Sequence, residues 1–347
     1  MYFFFVKIIQ KAMINSPENQ LTKADEQWRK SIPAQVFLNH FRGIDYHIRH
    51  AMPLSEVRHL ESLKRFRPKQ EDERVETTKK WLLNAWNAEY TLHSTAANPD
   101  ENYQKYALHW TFPQAYYSVL YSVKAFLAIQ GINVPAEALV RQIVNGYVVK
   151  GWYPTPIGFY ADGPYPNYSF HRIQDQDEQA FLQPLETPKQ AEAHIVQFLK
   201  TTRNQRARIS RQRLQANPAK ALRTKSGKVL SKFGARHWEE VAKGMGATTY
   251  FDMMARLKIS ANQRELERFV EADVNIVQFH QSLLNIVKYL NFVHECYIVK
   301  ALGVEKYTQW IDGLPPYLRD GFVKKRLQQG IRPVLESLMT KQTAQTS

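Results

Sequence analysis

The apolar residues of this chain recur at helical intervals along almost its whole length. In residues 71–93, for example, Val75, Leu82 and Trp86 are separated by seven and four positions, the spacing of one helix face. Alternation with a period of two, the mark of a half-buried strand, does not appear. With 44% hydrophobic residues in 347, the chain can also fill a large core. The sequence therefore predicts an all-α protein built as a multi-helix bundle.

Capping residues and prolines divide this pattern into separate helices. The longer predicted helices span about residues 71–93, 102–110, 114–130, 135–149, 188–215 and 274–302. Thr187 followed by Pro188 is typical of a helix start, because it places an N-cap before a proline at the first helical position. Asp273 is the expected cap of the last helix, and Pro113 is expected to separate the second from the third. We expect the third and the last of these helices to pack together in the core, since both are strongly apolar.

Two irregular segments interrupt the helices. The first, residues 151–171, mixes glycine and proline with many aromatic residues and is called the aromatic loop below. This composition predicts one of two arrangements. In the first, Trp152, Tyr153 and Tyr160 stack on unpaired bases; in the second, the rings pack the loop against the protein's own core. The second irregular segment, residues 217–234, lies in the most basic part of the chain.

Positive charge is concentrated in that part of the sequence. The formal net charge is +15, and residues 200–236, here called the basic tract, contain twelve Lys or Arg and no Asp or Glu. The rest of the chain is therefore close to charge balance. A local excess of this kind indicates a surface that binds a polyanion. We expect nucleic acid as the partner; an acidic protein and a merely solvated basic surface are the alternatives.

Arginine and lysine occupy different halves of the basic tract. The arginines from 203 to 213 lie at the end of a predicted helix and spread over about 220° of its circumference, so this helix end is expected to protrude. Their planar forks match phosphate oxygens, whereas the lysines of the irregular half act as point charges. The predicted nucleic-acid contacts are Arg203, Arg206, Arg208, Arg211, Arg213, Lys220, Arg223, Lys225, Lys228, Lys232 and Arg236.

The basic tract also suggests how the chain is divided. The predicted regions are a leader (1–16), an N-terminal helical region with the aromatic loop (17–200), a basic helix-loop appendage (201–236), a C-terminal helical region that packs on the first (237–340), and a disordered tail (341–347). The apolar run of the leader is short and has no basic residues before it, unlike a signal peptide. Met13 is an alternative translation start to Met1.

The segment 115–132, AYYSVLYSVKAFLAIQGI, resembles a helix of the HEPN superfamily, including its YaaC-like branch. The resemblance covers about residues 102–135 and rests on a tyrosine-rich helix that ends in Lys124, Ala125 and two apolar residues before a glycine. It implies a helical bundle, often dimeric, that binds RNA and in many members cleaves it without a metal.

The same resemblance implies an active site in which an arginine is followed within about six residues by a histidine. Arg42 and His47 fit this spacing, with Gly43 where the family usually has a polar residue. In these roles His47 would exchange a proton with a ribose hydroxyl, and Arg42 would stabilise the charge of a phosphorane-like transition state. The alternatives are a helix with a partly buried histidine, and a non-catalytic scaffold whose basic arm docks an acidic protein.

Other kinds of site are not predicted. His47 and His50 share a helix face without an HExxH motif, so we expect no metal site. The sequence TKSGKVL around Gly227 lacks the first glycine and the Ser or Thr of a phosphate-binding loop, and no cofactor is expected. The single cysteine, Cys296, excludes an intramolecular disulfide framework and favours the reducing cytoplasm. The polar and charged residues within the apolar segments argue against a membrane span.

Overall fold

Helices make up most of the described chain, and the all-α prediction is confirmed. The computed structural model describes residues 23–174, 177, 179–261 and 263–343, so the predicted leader and residues 344–347 lie outside it. The α-helices are α1 (Lys23–His50), α2 (Pro53–Arg58), α3 (Glu61–Arg65), α4 (Asp72–Ala96), α5 (Glu101–Tyr106), α6 (Leu108–Ala128), α7 (Glu137–Val149), α8 (Pro188–Ala216), α9 (Ala235–Met245), α10 (Tyr250–Ser260), α11 (Gln263–Val270), α12 (Ile276–Leu302), α13 (Val304–Asp312), α14 (Pro316–Leu318), α15 (Lys324–Arg326) and α16 (Arg332–Thr343). Short 3₁₀ turns span Thr155–Ile157 and Ala180–Leu182, and π-helical segments span Arg319–Val323 and Leu327–Ile331.

A small antiparallel sheet interrupts the helical fold. Its strands are β1 (Tyr160–Asp162), β2 (Ser169–His171) and β3 (Thr248–Thr249), in the spatial order β2-β1-β3. Ala161 is paired with Phe170 on one side and with Thr248 on the other. The expectation that the chain contains no strand is therefore wrong for part of the aromatic loop. Strands of two or three residues are too short to show a period of two in the sequence.

The predicted helix starts are partly confirmed. Thr187 precedes α8, and its backbone N–H donates to Gln190 Oε1 (2.7 Å), as in a capping box. Asn275, not Asp273, caps α12, because the helix begins at Ile276 and the Asn275 side chain accepts from the Gln278 N–H (2.8 Å). The expected break at Pro113 is also wrong, since this proline lies inside α6.

Helix α12 lies at the centre of the molecule and is buried along most of its length. Its polar side chains are paired within the core: Asn291 Nδ2 donates to Ser118 Oγ (2.9 Å), and the Ser122 hydroxyl and His294 Nδ1 are hydrogen-bonded at 3.0 Å. Both serines belong to α6, so the predicted packing of the tyrosine-rich helix on this helix is confirmed. None of the helices within the described ranges has the length and apolar character needed to cross a bilayer.

A buried ion cluster joins the C-terminal elements to this core. The Arg326 side chain is 7% exposed and pairs with two buried carboxylates, Glu89 of α4 and Glu295 of α12. Tyr307 donates a hydrogen bond to Glu295 (2.7 Å), and Asn291 donates one to Glu89 (2.8 Å). Because both carboxylates and the guanidinium are partnered, the cluster avoids the cost of an isolated buried charge.

Helices α1 and α8 approach each other closely at Gly43. A Cβ atom added at Gly43 would lie 2.6 Å from the Cβ of His194, nearer than two carbon atoms can come without a shift of the backbone. The glycine therefore permits this helix crossing. The same crossing explains why the position after Arg42 carries no polar side chain.

We expect Gly43→Ala to lower the free energy of unfolding by about 1 to 3 kcal/mol, the usual cost of overpacking. The measurement is urea denaturation followed by circular dichroism. Gly146→Ala in α7 is the matched control, because a Cβ there meets nothing within 4 Å, and it should be neutral or stabilise by up to about 1 kcal/mol. Equal stability of the two variants would contradict the close approach.

Candidate nucleic-acid interface

The basic tract folds into three connected pieces: the second half of α8, a hairpin, and the start of α9. Residue 200, the predicted boundary before the appendage, lies inside the continuous helix α8. The tract therefore leaves the core as an extension of that helix and returns to it through α9.

Arg203 lies in the first piece and is buried, at 1% exposure. Its Nη1 donates to Ala161 O (3.2 Å), Gly246 O (2.8 Å) and Thr248 Oγ1 (3.1 Å). Its Nε and Nη2 both donate to Gly163 O, at 3.0 and 2.7 Å. Burial lowers the pKa of this guanidinium to about 10. Arg203 thus ties α8 to the sheet and to the segment between α9 and β3.

Arg206 is held in the same way one turn later. Its Nη1 donates to Thr248 Oγ1 (2.8 Å) and Asp252 Oδ2 (3.0 Å), and its Nη2 donates to Met245 O. The prediction that Arg203 and Arg206 contact nucleic acid is therefore wrong. The sheet and α9 cover this face of α8, and the donors of both side chains are already used inside the protein.

Replacement of Arg203 by Met should destabilise the protein by about 3 kcal/mol or more, because each buried polar group left unsatisfied costs about 1 to 3 kcal/mol. The variant leaves the carbonyl groups of Ala161, Gly163 and Gly246 without their donors. Thermal unfolding and urea denaturation report the loss. Arg208→Met, an exposed position on the same helix, should stay within about 0.5 kcal/mol of the wild type. A similar small effect for Arg203→Met would overturn its structural role.

Eight of the predicted contacts do reach the surface. They are Arg208, Arg213, Lys220, Arg223, Lys225, Lys228, Lys232 and Arg236. In the described part of the chain no carboxylate lies within ion-pair distance of any of them, whereas Arg206 of the same tract pairs with Asp252. No described carboxylate therefore neutralises the charges of these eight residues.

The irregular half of the tract is a β-hairpin. Arg223 and Val229 form an antiparallel bridge, and Thr224 N donates to Lys228 O (2.8 Å). Gly227 takes a φ of +79°, which a glycine adopts without strain at the end of such a turn. The hairpin places three of the exposed cations, at positions 223, 225 and 228, on one short ribbon.

Partly exposed aromatic rings lie beside these cations. Tyr165 and Tyr168, from the turn between β1 and β2, have ring centroids 6.4 Å apart. Tyr165 contacts Trp238 of α9 (4.8 Å), which contacts Phe233 (5.4 Å). We call these four residues the aromatic row. Arg211, the remaining predicted contact, lies over Phe233 at 4.7 Å and over Trp238 at 5.8 Å.

The residues predicted to stack on bases lie elsewhere. Trp152 stacks on Tyr147 (4.4 Å) and joins the core, and Tyr153 is buried with its hydroxyl 3.0 Å from His294 Nε2. Tyr160 stacks on His171 at 4.4 Å. The stacking prediction is wrong for Trp152 and Tyr153, whereas the alternative, rings that pin the loop to the core, is confirmed for both.

Sequence reasoning missed the aromatic row. Tyr165 and Trp238 are far apart in the chain, and only the packing of the β1–β2 turn on α9 brings them together. One signal was present: Phe233 and Trp238 alternate with Lys232 and Arg236, the interleaving of rings and cations that is typical of single-strand binding.

The structure does not bring Arg42 and His47 together. Arg42 donates to Asn39 Oδ1 (3.0 Å) and to Gln278 on α12, whereas His47 Nδ1 lies 4.0 Å from Glu192 Oε1 on α8. Five positions along α1 separate the two side chains by about 140° around the helix. Each faces a different neighbouring helix, so the arrangement needed for joint action on one phosphate is absent from this pair.

The neighbours of this pair include two buried histidines. His40 Nδ1 and His194 Nδ1 are 3.3 Å apart, where α1 crosses α8. Burial, then the charges of His194 and Arg256, hold the pKa of His40 well below its usual value. Burial, then the charge of Arg42, lowers the pKa of His194 to about 4. Both imidazoles are therefore neutral near pH 7.

We expect the free energy of unfolding to fall as the pH drops from about 6.5 towards 4, because the unfolded chain binds protons that these two folded imidazoles exclude. Each contributes a slope of up to about 1.4 kcal/mol per pH unit in this window. His40→Phe should reduce the slope measured by urea denaturation at several pH values. An unaltered slope in His40→Phe would refute the assignment.

Comparisons with protein-family models, with curated proteins and with solved structures give no match to this chain. The HEPN resemblance of residues 102–135 therefore stays a prediction. Within the described residues, no group of three or more His, Cys, Asp or Glu side chains is arranged to hold a metal ion. The exposed cations and the aromatic row remain the best candidate for a binding surface.

Proposed function

We propose that the protein binds nucleic acid through the exposed cations of the basic tract. The observation that supports this most strongly is that eight Lys or Arg side chains of one segment reach the solvent without a carboxylate partner among the described residues. Phosphate groups supply the missing negative charge at regular spacing along a polymer. RNA is the favoured form, on the basis of the HEPN resemblance.

The pieces of the tract suit a backbone contact. Arg208 and Arg213 project from the end of a helix that Arg203 and Arg206 anchor to the sheet, so the helix fixes the backbone from which they extend. The planar fork of an arginine also loses less side-chain entropy per hydrogen bond to a phosphate than a lysine does. The hairpin adds lysines on a second element, whose turn is closed by backbone hydrogen bonds.

Cleavage by Arg42 and His47 is not part of this proposal. Glu192, which faces His47, precedes Arg208 by sixteen positions on α8, a separation of about 24 Å along the helix axis. A phosphate on the exposed arginines would therefore lie far from the pair. We propose a binding protein whose surface holds a strand without reacting with it.

Binding of a fluorescein-labelled oligonucleotide, measured by anisotropy at several salt concentrations, tests the proposal. The affinity should fall steeply with salt: for each phosphate contact, a tenfold rise in salt concentration should lower the binding constant by about 0.7 to 0.9 logarithmic units. A variant with Arg213, Lys225, Lys228 and Lys232 replaced by Gln should bind weakly. The slope of its logarithmic binding constant against the logarithm of the salt concentration should also be smaller by up to about 3.

The matched control removes four exposed cations elsewhere, at Lys69, Lys80, Lys324 and Lys325, and should bind nearly as the wild type does. A flat salt response, or equal losses in the two variants, would contradict the proposal. Recovery of the protein with a stoichiometric acidic polypeptide, and without nuclease-sensitive absorbance at 260 nm, would favour the scaffold alternative.

A further inference from the structure

The aromatic row lies on the surface and does not serve as core. All four rings, Tyr165, Tyr168, Phe233 and Trp238, are partly exposed. None of them belongs to the clusters of buried apolar side chains or to the partly buried side chains that pack against those clusters. By contrast, Trp152, from the same aromatic loop, does pack on the core. The row therefore exposes aromatic surface to solvent, and packing of the core does not explain why these rings are there.

Arginines hold these rings in position. Arg211 lies over both Phe233 and Trp238, and its Nη2 donates to Ser231 O. At the other end the buried Arg203 lies 5.5 Å from the centroid of Tyr168, whose hydroxyl donates to Asn204 Oδ1 (2.7 Å). Cation–π contacts and hydrogen bonds of this kind fix a ring without covering all of it. The row is thus an ordered platform.

Exposed cations border this platform. Lys232 directly precedes Phe233, Arg211 lies over Phe233 and Trp238, and Arg208 is near enough to Tyr168 for its charge to act on the phenol hydroxyl. Arg236, two positions before Trp238 on α9, points about 200° away from that ring. Phosphate-binding groups and ring faces consequently lie side by side. This combination is what proteins use to hold a single strand, whose bases are free to stack on side chains while its backbone follows the positive groove.

We propose that the aromatic row stacks the unpaired bases of a single-stranded nucleic acid while the neighbouring cations hold its phosphates. The inference rests on the proposed function and narrows it from a polyanion to a single strand. A duplex offers the same phosphates but keeps its bases stacked inside the helix, so it gains nothing from the rings.

Trp238→Leu tests the inference, because leucine keeps apolar bulk against Tyr165 and Phe233 but removes the ring. The probes are a fluorescein-labelled oligouridylate and a duplex of the same length, both measured by anisotropy. The single strand should lose about 5- to 150-fold in affinity, the range for one stacked base. The duplex should change less than about 2-fold, and the salt slope should stay as in the wild type, since no phosphate contact is removed.

Three further variants sharpen the result. Trp238→Phe retains a ring and should recover most of the single-strand affinity. Trp110→Leu removes an exposed tryptophan from α6 (64% exposed) and should leave both probes unaffected. Tyr165→Leu removes a ring of the aromatic row that lies in the β1–β2 turn and not on α9. It replaces Trp238→Leu as the test of base stacking if circular dichroism shows that Trp238→Leu does not fold.

The outcomes separate the two proposals. Equal losses for single strand and duplex in Trp238→Leu, or binding by Trp238→Phe as weak as by Trp238→Leu, would overturn base stacking and leave phosphate binding intact. No binding of either probe by the wild-type protein would overturn phosphate binding as well.

Discussion

The position of the candidate interface depends on one buried guanidinium. Arg203 joins α8 to β1 and the residue after it through the carbonyl groups of Ala161 and Gly163. It also joins α8 to β3 through Thr248 Oγ1 and to the chain before β3 through Gly246 O. These groups come from two separate parts of the sequence, both distant from Arg203 itself. Each carbonyl would be costly to bury without a donor, and one planar side chain with five N–H groups satisfies several at once.

This anchor has a consequence for the charges that follow it. Arg203 and Arg206 donate their hydrogen bonds to groups inside the protein and so anchor α8. The next arginines, Arg208 and Arg213, extend from this anchored helix into the solvent. The short sheet also fixes the β1–β2 turn, from which Tyr165 and Tyr168 meet α9. Two structural arginines therefore precede the surface-exposed arginines on one helix, and the first group sets the geometry of the second.

The sequence predicted the helices well because long apolar periods and local caps are local signals. Thr187 followed by Pro188 marks the start of α8 at the residue where the structure has it. The role of Arg203 was not predictable in the same way, because a helical period records spacing but not which element covers each face. The aromatic row escaped for a related reason: Tyr165 and Trp238 are neighbours only through the sheet, whose strands are too short to leave a pattern.

The crossing of α1 and α8 clarifies the other candidate site. Gly43 lets the backbones approach until His194 fills the space beside it, and the histidine pair that results is buried and neutral. A ribonuclease site needs an imidazole that exchanges protons at the surface, close to an arginine that meets the same phosphate. Close helix packing at this point has the opposite effect, because it sends Arg42 towards α12 and His47 towards α8. Of the two residues that match the spacing of an active site, only His47 faces α8, and the opposite end of that helix carries the exposed charge.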